Sequence, residues 1–301
     1  MKKVFCIIVT YNAQKWIYDC ISTIVEDKVD LTILVIDNGS SDETIEVISH
    51  NFPSVEIVQT GENLGFGRAN NVGYTMAKNA NAEYIYLLNQ DTKSYPDNIY
   101  NLIQLESSIN ERIGIISPMH LNDDGSKLDL LFESCISSRS CPEFISDAAL
   151  NKPNPYYPIN FVNAAAWLVK ISTIEYLGGL FSEAFFHYGE DLNFGSRLKY
   201  FDFEIVIASD IYIHHCRAER NGKHSKNFEN KKVKINTVTL MHDITNSYAG
   251  CCKNIVKYSL EQLSKRNLTN SIKIILYPIL NFGEIVKYRK SYIERNLISN
   301  K

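Results

Sequence analysis

Residues 83–92 carry an apolar run straight into an amide and a carboxylate, Asn89 and Asp91, with Gln90 between them. On an extended backbone, residues two apart leave the same face, so Asn89 and Asp91 can converge on one hard cation or one ribose. A strand ending in Asn and Asp also opens ordinary turns, and the other polar clusters of the chain decide between these readings.

Thr10, Tyr11 and Asn12 follow the first apolar run, and Asp37, Asn38, Gly39, Ser40, Ser41 and Asp42 follow the second. A carboxylate at Asp37 can accept from a base imide or a ribose hydroxyl, and Tyr11 can pack on a base. Taken alone, Asp37 would open a turn and Asp42 would begin a helix. Residues 61–71 form a glycine-rich entry to a helix and include Asn63, Gly65, Phe66, Gly67, Arg68 and Asn71. Backbone amides at such a start can receive phosphate, and Arg68 adds charge. As a dinucleotide fingerprint the segment fails, because Asn70 stands at the third glycine position and the loop follows the third strand rather than the first. A dehydrogenase is disfavoured.

Glu190 and Asp191 open another helix, directly after Phe185, Phe186, His187, Tyr188 and Gly189. Acids at a helix start also serve the helix dipole alone. Phe194, Leu198 and Phe201 make the apolar stripe of this helix, and Asp191 precedes the first two by three and seven residues. Asp191 therefore points inward as a candidate general base, while Glu190 lies further round, towards Arg197. His214 and His215 follow the strand that ends at Ile213. A histidine at a strand end can be purely structural; with Asp91 and diphosphate oxygens, an imidazole would suit Mn or Mg.

The elements that must position these groups alternate short apolar runs with amphipathic segments, the pattern of a mostly parallel sheet covered by helices. Strands are expected at 4–9, 31–36, 55–59, 84–88 and 113–117, with their C-terminal ends on one edge. Trp16, Ile17, Cys20, Ile21, Ile24 and Val25 recur at helical spacing, and Ser40 with Glu43 reads as a capping box that starts the next helix. Residues 123–158 read as loops or a small insert. Order returns at 161–170, followed by a helix at about 190–200, a strand pair through 204–213, and helices beyond Asn227.

The 301 residues carry a net charge of -3, which predicts no general attraction to nucleic acid. The charge is uneven: ten basic and three acidic residues follow Cys252, a balance of +7 that leaves -10 for the rest. Seven cysteines without metal-ligand spacing read as reduced thiols. The apolar run after Lys3 is too short for a leader, and the longest apolar stretch, 272–286, is interrupted by Lys273, Pro278, Asn281 and Glu284, so a cytoplasmic location is expected. In the basic tail, Lys253, Lys257, Lys265, Arg266, Lys287, Arg289 and Lys290 cluster near Tyr258, Tyr277, Phe282, Tyr288 and Tyr292. That mixture predicts contact with an anionic membrane surface; the alternative is packing on the rest of the chain or across a homodimer.

Val9 to Asn12, Val35 to Asp42, Asn63 to Gly67, Leu87 to Asp91, the Glu190 and Asp191 pair and the following histidine together resemble a family 2 glycosyltransferase of the GT-A fold, over about residues 3–220. The resemblance implies a Rossmann-like α/β domain at 1–225 with a C-terminal helical region at 226–301. It also implies a nucleotide-diphosphate sugar donor, a divalent metal (Mn or Mg), and inversion at the anomeric carbon by single displacement. By position, Thr10, Tyr11 and Asp37 would hold the nucleoside. Asn12, Asn38, Asn63, Gly65, Phe66, Arg68, Asn71, Asn89 and Gln90 would complete the nucleotide site. Asp91 would hold the metal with His214 or His215, and Asp191, beside Glu190, would take the acceptor proton. The chain departs from the commonest pattern at Asn89, where many members have Asp. Asn89 and Asp91 with Asn63 to Gly67 are similar to bacterial rhamnosyl- and galactofuranosyl-transferases that build surface polysaccharide on saccharide or lipid-linked acceptors. The glutamine-arginine-tryptophan signature and membrane spans of processive synthases are absent, so one sugar per binding event is expected. A sugar-phosphate nucleotidyltransferase is the alternative enzyme, but its Gly-rich, Arg-containing loop after the first strand is replaced by Thr10, Tyr11 and Asn12. A silent sugar-nucleotide binding protein is the third reading, separable from the first by donor consumption.

Overall fold

Short runs rich in Val, Ile and Leu become strands here because both of their faces are covered, so alternate residues enter two different cores. In the first strand Val4, Cys6 and Ile8 join one core while Phe5 and Ile7 join the other. The computed structural model describes residues 1–216 and 226–299, with side chains of 226–228 and 294–299 excepted. In chain order the elements are β1 (Lys3–Thr10), α1 (Ile17–Ser22), β2 (Asp30–Asp37), α2 (Thr44–Asn51), β3 (Glu56–Gln59), α3 (Phe66–Asn79), β4 (Tyr84–Asn89), β5 (Thr92–Ser94) and α4 (Asn98–Ser108). There follow β6 (Ile113–Leu121), α5 (Leu130–Cys135), α6 (Phe144–Ala149), β7 (Tyr156–Pro158), β8 (Ala166–Lys170), α7 (Ile171–Tyr176), α8 (Glu190–Tyr200) and β9 (Glu204–His215). The chain ends in α9 (Lys226–His242), α10 (Tyr248–Ser264), α11 (Leu268–Leu280) and α12 (Phe282–Ser299).

The strands form one sheet in the order β3-β2-β1-β4-β8-β6-β9-β5, with β7 on β9. β1 pairs in parallel with both β2 and β4, in a register that sets Thr10 beside Asp37 and Val9 beside Asn89. Three polar strand ends are thereby brought to one edge. β8 runs antiparallel between β4 and β6, so the edge is mostly but not wholly made of C-terminal strand ends.

Two local expectations are corrected and a third is made specific. The helix after β2 begins at Thr44 rather than at Ser40: the Ser40 hydroxyl bonds Asp37, and Asp42 accepts from the Thr44 amide. The expected strand pair at 204–213 is one long strand, β9, whose register against β6 jumps from Pro118 opposite Ala208 to Met119 opposite Tyr212. That bulge carries β9 on to the antiparallel pairing of His215 with Thr92 of β5. Residues 123–158, expected as loop or insert, hold α5, α6 and β7. The proposed division between 225 and 226 closes the segment 217–225, which lies outside the described residues, as does Lys301.

Arg197 joins the helical region to the sheet region. It is wholly buried, and its guanidinium donates to the carbonyls of Leu177 at 3.3 Å, Gly179 at 2.7 Å and Leu180. Its flat face lies 4.5 Å from the ring centroid of Tyr292 in α12. Burial pulls its pKa down, so the cation is held against the cost of desolvation by three carbonyl dipoles and an aromatic face. Replacing it strands those carbonyls inside the protein. Arg197→Ala is expected to lower unfolding stability by about 3 kcal/mol or more, measured by urea titration; a loss below about 1 kcal/mol would mean that water replaces the guanidinium freely.

Candidate active site

The β1 and β2 ends are tied to each other rather than left open. Asp37 is 2 % exposed, and its carboxylate accepts from the Thr10 and Ser40 hydroxyls and from the Gly39 and Ser40 amides. A carboxylate has about four acceptor positions, and here all are taken. Thr10 is buried as well, and Asn38, also buried, bonds Gly65 O and the Leu64 amide. Thr10 and Asp37, expected at the nucleoside, and Asn38, expected in the nucleotide site, use these polar atoms to build the turn. Asn12 accepts from the Ser41 amide, and the Gln90 side chain bonds the Tyr11 amide at 2.8 Å. The Tyr11 ring remains half exposed at the edge.

The glycine-rich entry to α3 is a rack for the segment before α8. Gly65 adopts φ +82, and a Cβ there would stand 1.9 Å from the Phe186 carbonyl oxygen. Protein backbone thus packs on the helix start expected to receive phosphate. Asn63 accepts from the Gly65 amide and fixes this turn. Asn71 pairs with both backbone groups of Phe181, at 2.8 and 2.9 Å. Arg68 is exposed, with its guanidinium 3.5 Å from Glu183 O. Asn71, expected in the nucleotide site, braces the Phe181 backbone, and Arg68, expected to add charge there, touches the backbone at Glu183. Phe66 alone of this group reaches the pocket described next.

A pocket of about 210 Å³ lies between the sheet edge and the start of α8. Asn89, Asp91 and His215 line it from the strand ends, and Glu190 and Asp191 from α8. His215 is buried; its Nε2 lies 3.4 Å from Asp91 Oδ1 and 3.4 Å from Asn89 Nδ2. Its Nδ1 lies 3.9 Å from Oδ2 of buried Asp129, whose Oδ1 caps α5 by accepting from the Leu131 and Phe132 amides. His214 is corrected: strand alternation turns it to the other face of β9, where its ring meets Tyr95 Oη at 2.8 Å and Asp123 O at 3.1 Å.

Among the described residues, no group of three or more His, Cys, Asp or Glu side chains could hold a metal unaided. Asp91 with His215 nevertheless suits a divalent ion whose other ligands come from a bound diphosphate and water. Asp129 Oδ2, 3.9 Å from the second ring nitrogen, stands on the side from which a carboxylate orients a ligating imidazole. The donor set fits Mn or Mg.

Tyr188 at φ +70 and Gly189 at φ +96 turn the chain into α8. A Cβ at Gly189 would meet the Phe185 ring at 2.8 Å and Thr239 Oγ1 at 2.9 Å, so this turn needs glycine for space as well as for conformation. Glu190 does not lie to the side, as the helix stripe implied. It is 4 % exposed, makes no bond to Arg197, and its Oε2 faces the pocket region without a hydrogen-bond partner. Burial first, and then the Asp191 charge, pushes its pKa up to about 7. Asp191 is partly exposed; burial raises its pKa, and the Leu192 amide at 2.8 Å opposes the shift.

Asp129, Leu131, Asn163, His187 and Tyr188 belong to the site and were not singled out from sequence. Asp129 had a readable signal: an Asp directly before the apolar run Leu130, Leu131, Phe132, as an N-cap requires. Asn163 had none.

The raised Glu190 pKa has a stability consequence. Between its ordinary value of 4.5 and about 7, the folded state keeps a proton that the unfolded state releases, so stability falls as pH rises through this window. Glu190→Gln should unfold like the parent near pH 4.5 and be more stable at pH 8, by on the order of 3 kcal/mol at most. Equal thermal midpoints at pH 8 would show that Glu190 ionises there without cost.

The sequence profile described as "Glycosyl transferase family 2" matches residues 5–126. An N-acetylglucosaminyl-diphospho-decaprenol L-rhamnosyltransferase of Mycobacterium tuberculosis is 26 % identical over 220 residues, which cover 64 % of this chain and 69 % of the relative. The structure of S. aureus TarS residues 1–349 in complex with UDP-GlcNAc superposes with a TM-score of 0.58 at 14 % identity, covering 99 % of this chain and 92 % of that one. GalNAc-T7 with UDP, GalNAc and Mn2+ gives 0.58 at 12 % identity, covering 84 % and 48 %. The fold is the GT-A fold, and residues 5–126, from β1 to β6, match the family 2 glycosyl transferase profile.

Proposed function

We propose that this glycosyltransferase moves one sugar, with inversion, from a nucleotide-diphosphate sugar to a hydroxyl of a saccharide or lipid-linked acceptor in surface polysaccharide synthesis. The observation that carries the reading is the pocket in which Asn89, Asp91 and His215 oppose Glu190 and Asp191. About 210 Å³ is below the usual range for a whole ligand of nucleotide-sugar size, and suits the transferred sugar with the nucleotide lying along the strand-end edge past Tyr11. The rhamnosyltransferase likeness favours a deoxyhexose donor and a diphospho-lipid acceptor.

Asp91 and His215 would hold a divalent metal, with Asp129 fixing the imidazole, and Asn89 in place of a second carboxylate keeps that end less negative towards the diphosphate. The metal's contribution is to offset charge on the departing nucleoside diphosphate. Asp191, partly exposed and raised by burial, is assigned to take the acceptor proton. The acceptor oxygen then bonds the anomeric carbon on the side opposite the breaking bond to phosphate, which inverts the centre. Glu190, ionising near pH 7 beside Asp191, strengthens that base as it becomes charged.

Two tests follow from these roles. Asp91→Ala, or excess chelator with the parent protein, should abolish transfer; transfer that survives both would remove metal and Asp91 from the reaction. Asp191→Asn should bind donor normally yet turn over about 100-fold to 10,000-fold more slowly. Near-parental turnover in Asp191→Asn, together with loss of the acidic limb near pH 7 in Glu190→Gln, would move the base to Glu190.

A further inference from the structure

The α10–α11 hairpin buries polar side chains while leaving an aliphatic stripe exposed. Ser259 and Gln262 of α10 and Asn270 and Ser271 of α11 are buried. The Ser259 and Ser271 hydroxyls meet at 2.7 Å, and the Asn270 amide donates to Asn230 Oδ1 at 2.8 Å. Ile255 and Ile274 share that buried side, but other aliphatic residues face outward. Val256, Leu260 and Leu263 recur at i, i+4 and i+7 on α10, and Ile272, Ile275 and Ile279 at i, i+3 and i+7 on α11, all exposed. Leu260 is 60 % and Ile279 67 % exposed, and Leu276 and Leu280 widen the stripe. Burying hydroxyls and amides while exposing leucines is unfavourable in water, and it becomes favourable when the outer face meets an apolar medium.

The charge around this stripe selects the medium. Lys253 and Lys257 flank it on α10, Lys273 flanks it on α11, and Arg266 stands at the turn, all exposed. Lys265 is set aside because Glu261 pairs with it at 2.7 Å. These cations belong to a tail with ten basic and three acidic residues, so they complement an anionic surface. Among the described residues no helix is long and apolar enough to cross a membrane, so contact would lie along the surface.

The aromatic residues expected to make that contact are mostly engaged elsewhere. Tyr258 bonds Asn236, Tyr288 bonds Tyr292, Tyr292 stacks on Arg197, and Arg289 is buried among the carbonyls of Met241, Asp243 and Asn246. Only Phe282 of the aromatic set is openly exposed. Of the residues expected at that contact, Arg289 and Tyr292 of α12 are buried, while the α10–α11 face is exposed.

We propose that the α10–α11 hairpin lies in the plane of an anionic lipid surface, with its aliphatic stripe in the acyl boundary and Lys253, Lys257 and Lys273 at the headgroups. The inference rests on this face and not on the sugar-transfer reading, and it is tested with no donor present. The intact chain should float with phosphatidylcholine–phosphatidylglycerol vesicles, less so as salt is raised, and should not float with phosphatidylcholine alone. Leu276→Glu combined with Ile279→Glu should lower binding by about tenfold or more, and Lys253→Glu combined with Lys257→Glu should also weaken it about tenfold. Unchanged circular dichroism and thermal midpoint would show both variants folded. Failure of the parent to bind, equal binding to neutral vesicles, or parental binding by either variant would overturn the proposal. So would a parent dimer in solution that Leu276→Glu with Ile279→Glu dissociates, since the face would then belong to a second copy.

Discussion

From Leu177 to Gly189 the chain runs between α7 and α8 without strand or helix, and every backbone group buried there needs a partner supplied from somewhere else. Arg197 serves the carbonyls of Leu177, Gly179 and Leu180, and Asn71 serves both backbone groups of Phe181. Gly65 leaves room for the Phe186 carbonyl. The position of the α8 carboxylates is the end result, because Glu190 and Asp191 follow this segment directly. The glycine-rich loop thus also seats the segment that leads into the α8 acids.

The pocket concentrates acid on both sides at some electrostatic cost. Glu190 and Asp191 stand at a helix start, where the macrodipole favours negative charge, but burial opposes ionisation and dominates at Glu190. Across the pocket, His215 separates Asp91 from Asp129, so the three groups form a line of alternating character rather than a cluster of like charges. Such a site tolerates an added cation and a polyanionic ligand together better than either alone.

Most of the frame was legible because both strand periodicity and helix periodicity are strong in the first half: five expected strands lie on β1, β2, β3, β4 and β6 within a few residues, and α8 lies where its stripe put it. What failed depends on long-range pairing. The turn that Asp37 builds includes a bond from Thr10 on the neighbouring strand, 27 residues away. His214 and His215 are equivalent by local pattern, and only the bulge in β9 and its pairing with β5 settle which one meets Asp91. Asp129 sits in a stretch whose composition reads as loop, so its cap on α5 carried no weight without the sheet beside it.

The pocket wall is assembled from pieces far apart in the chain: Phe66 from α3, Asn89 and Asp91 after β4, Leu131 from α5, Asn163 before β8, and Tyr188 before α8. The bonds that hold those pieces, through Asp37, Asn71 and Arg197, lie behind the wall and not in it. Recognition and folding therefore draw on largely separate residues. Drift at Leu131, Asn163 or Tyr188 can reshape the pocket without loosening the scaffold, so one such fold can change what it admits by exchanging a few side chains while its interior stays as it is.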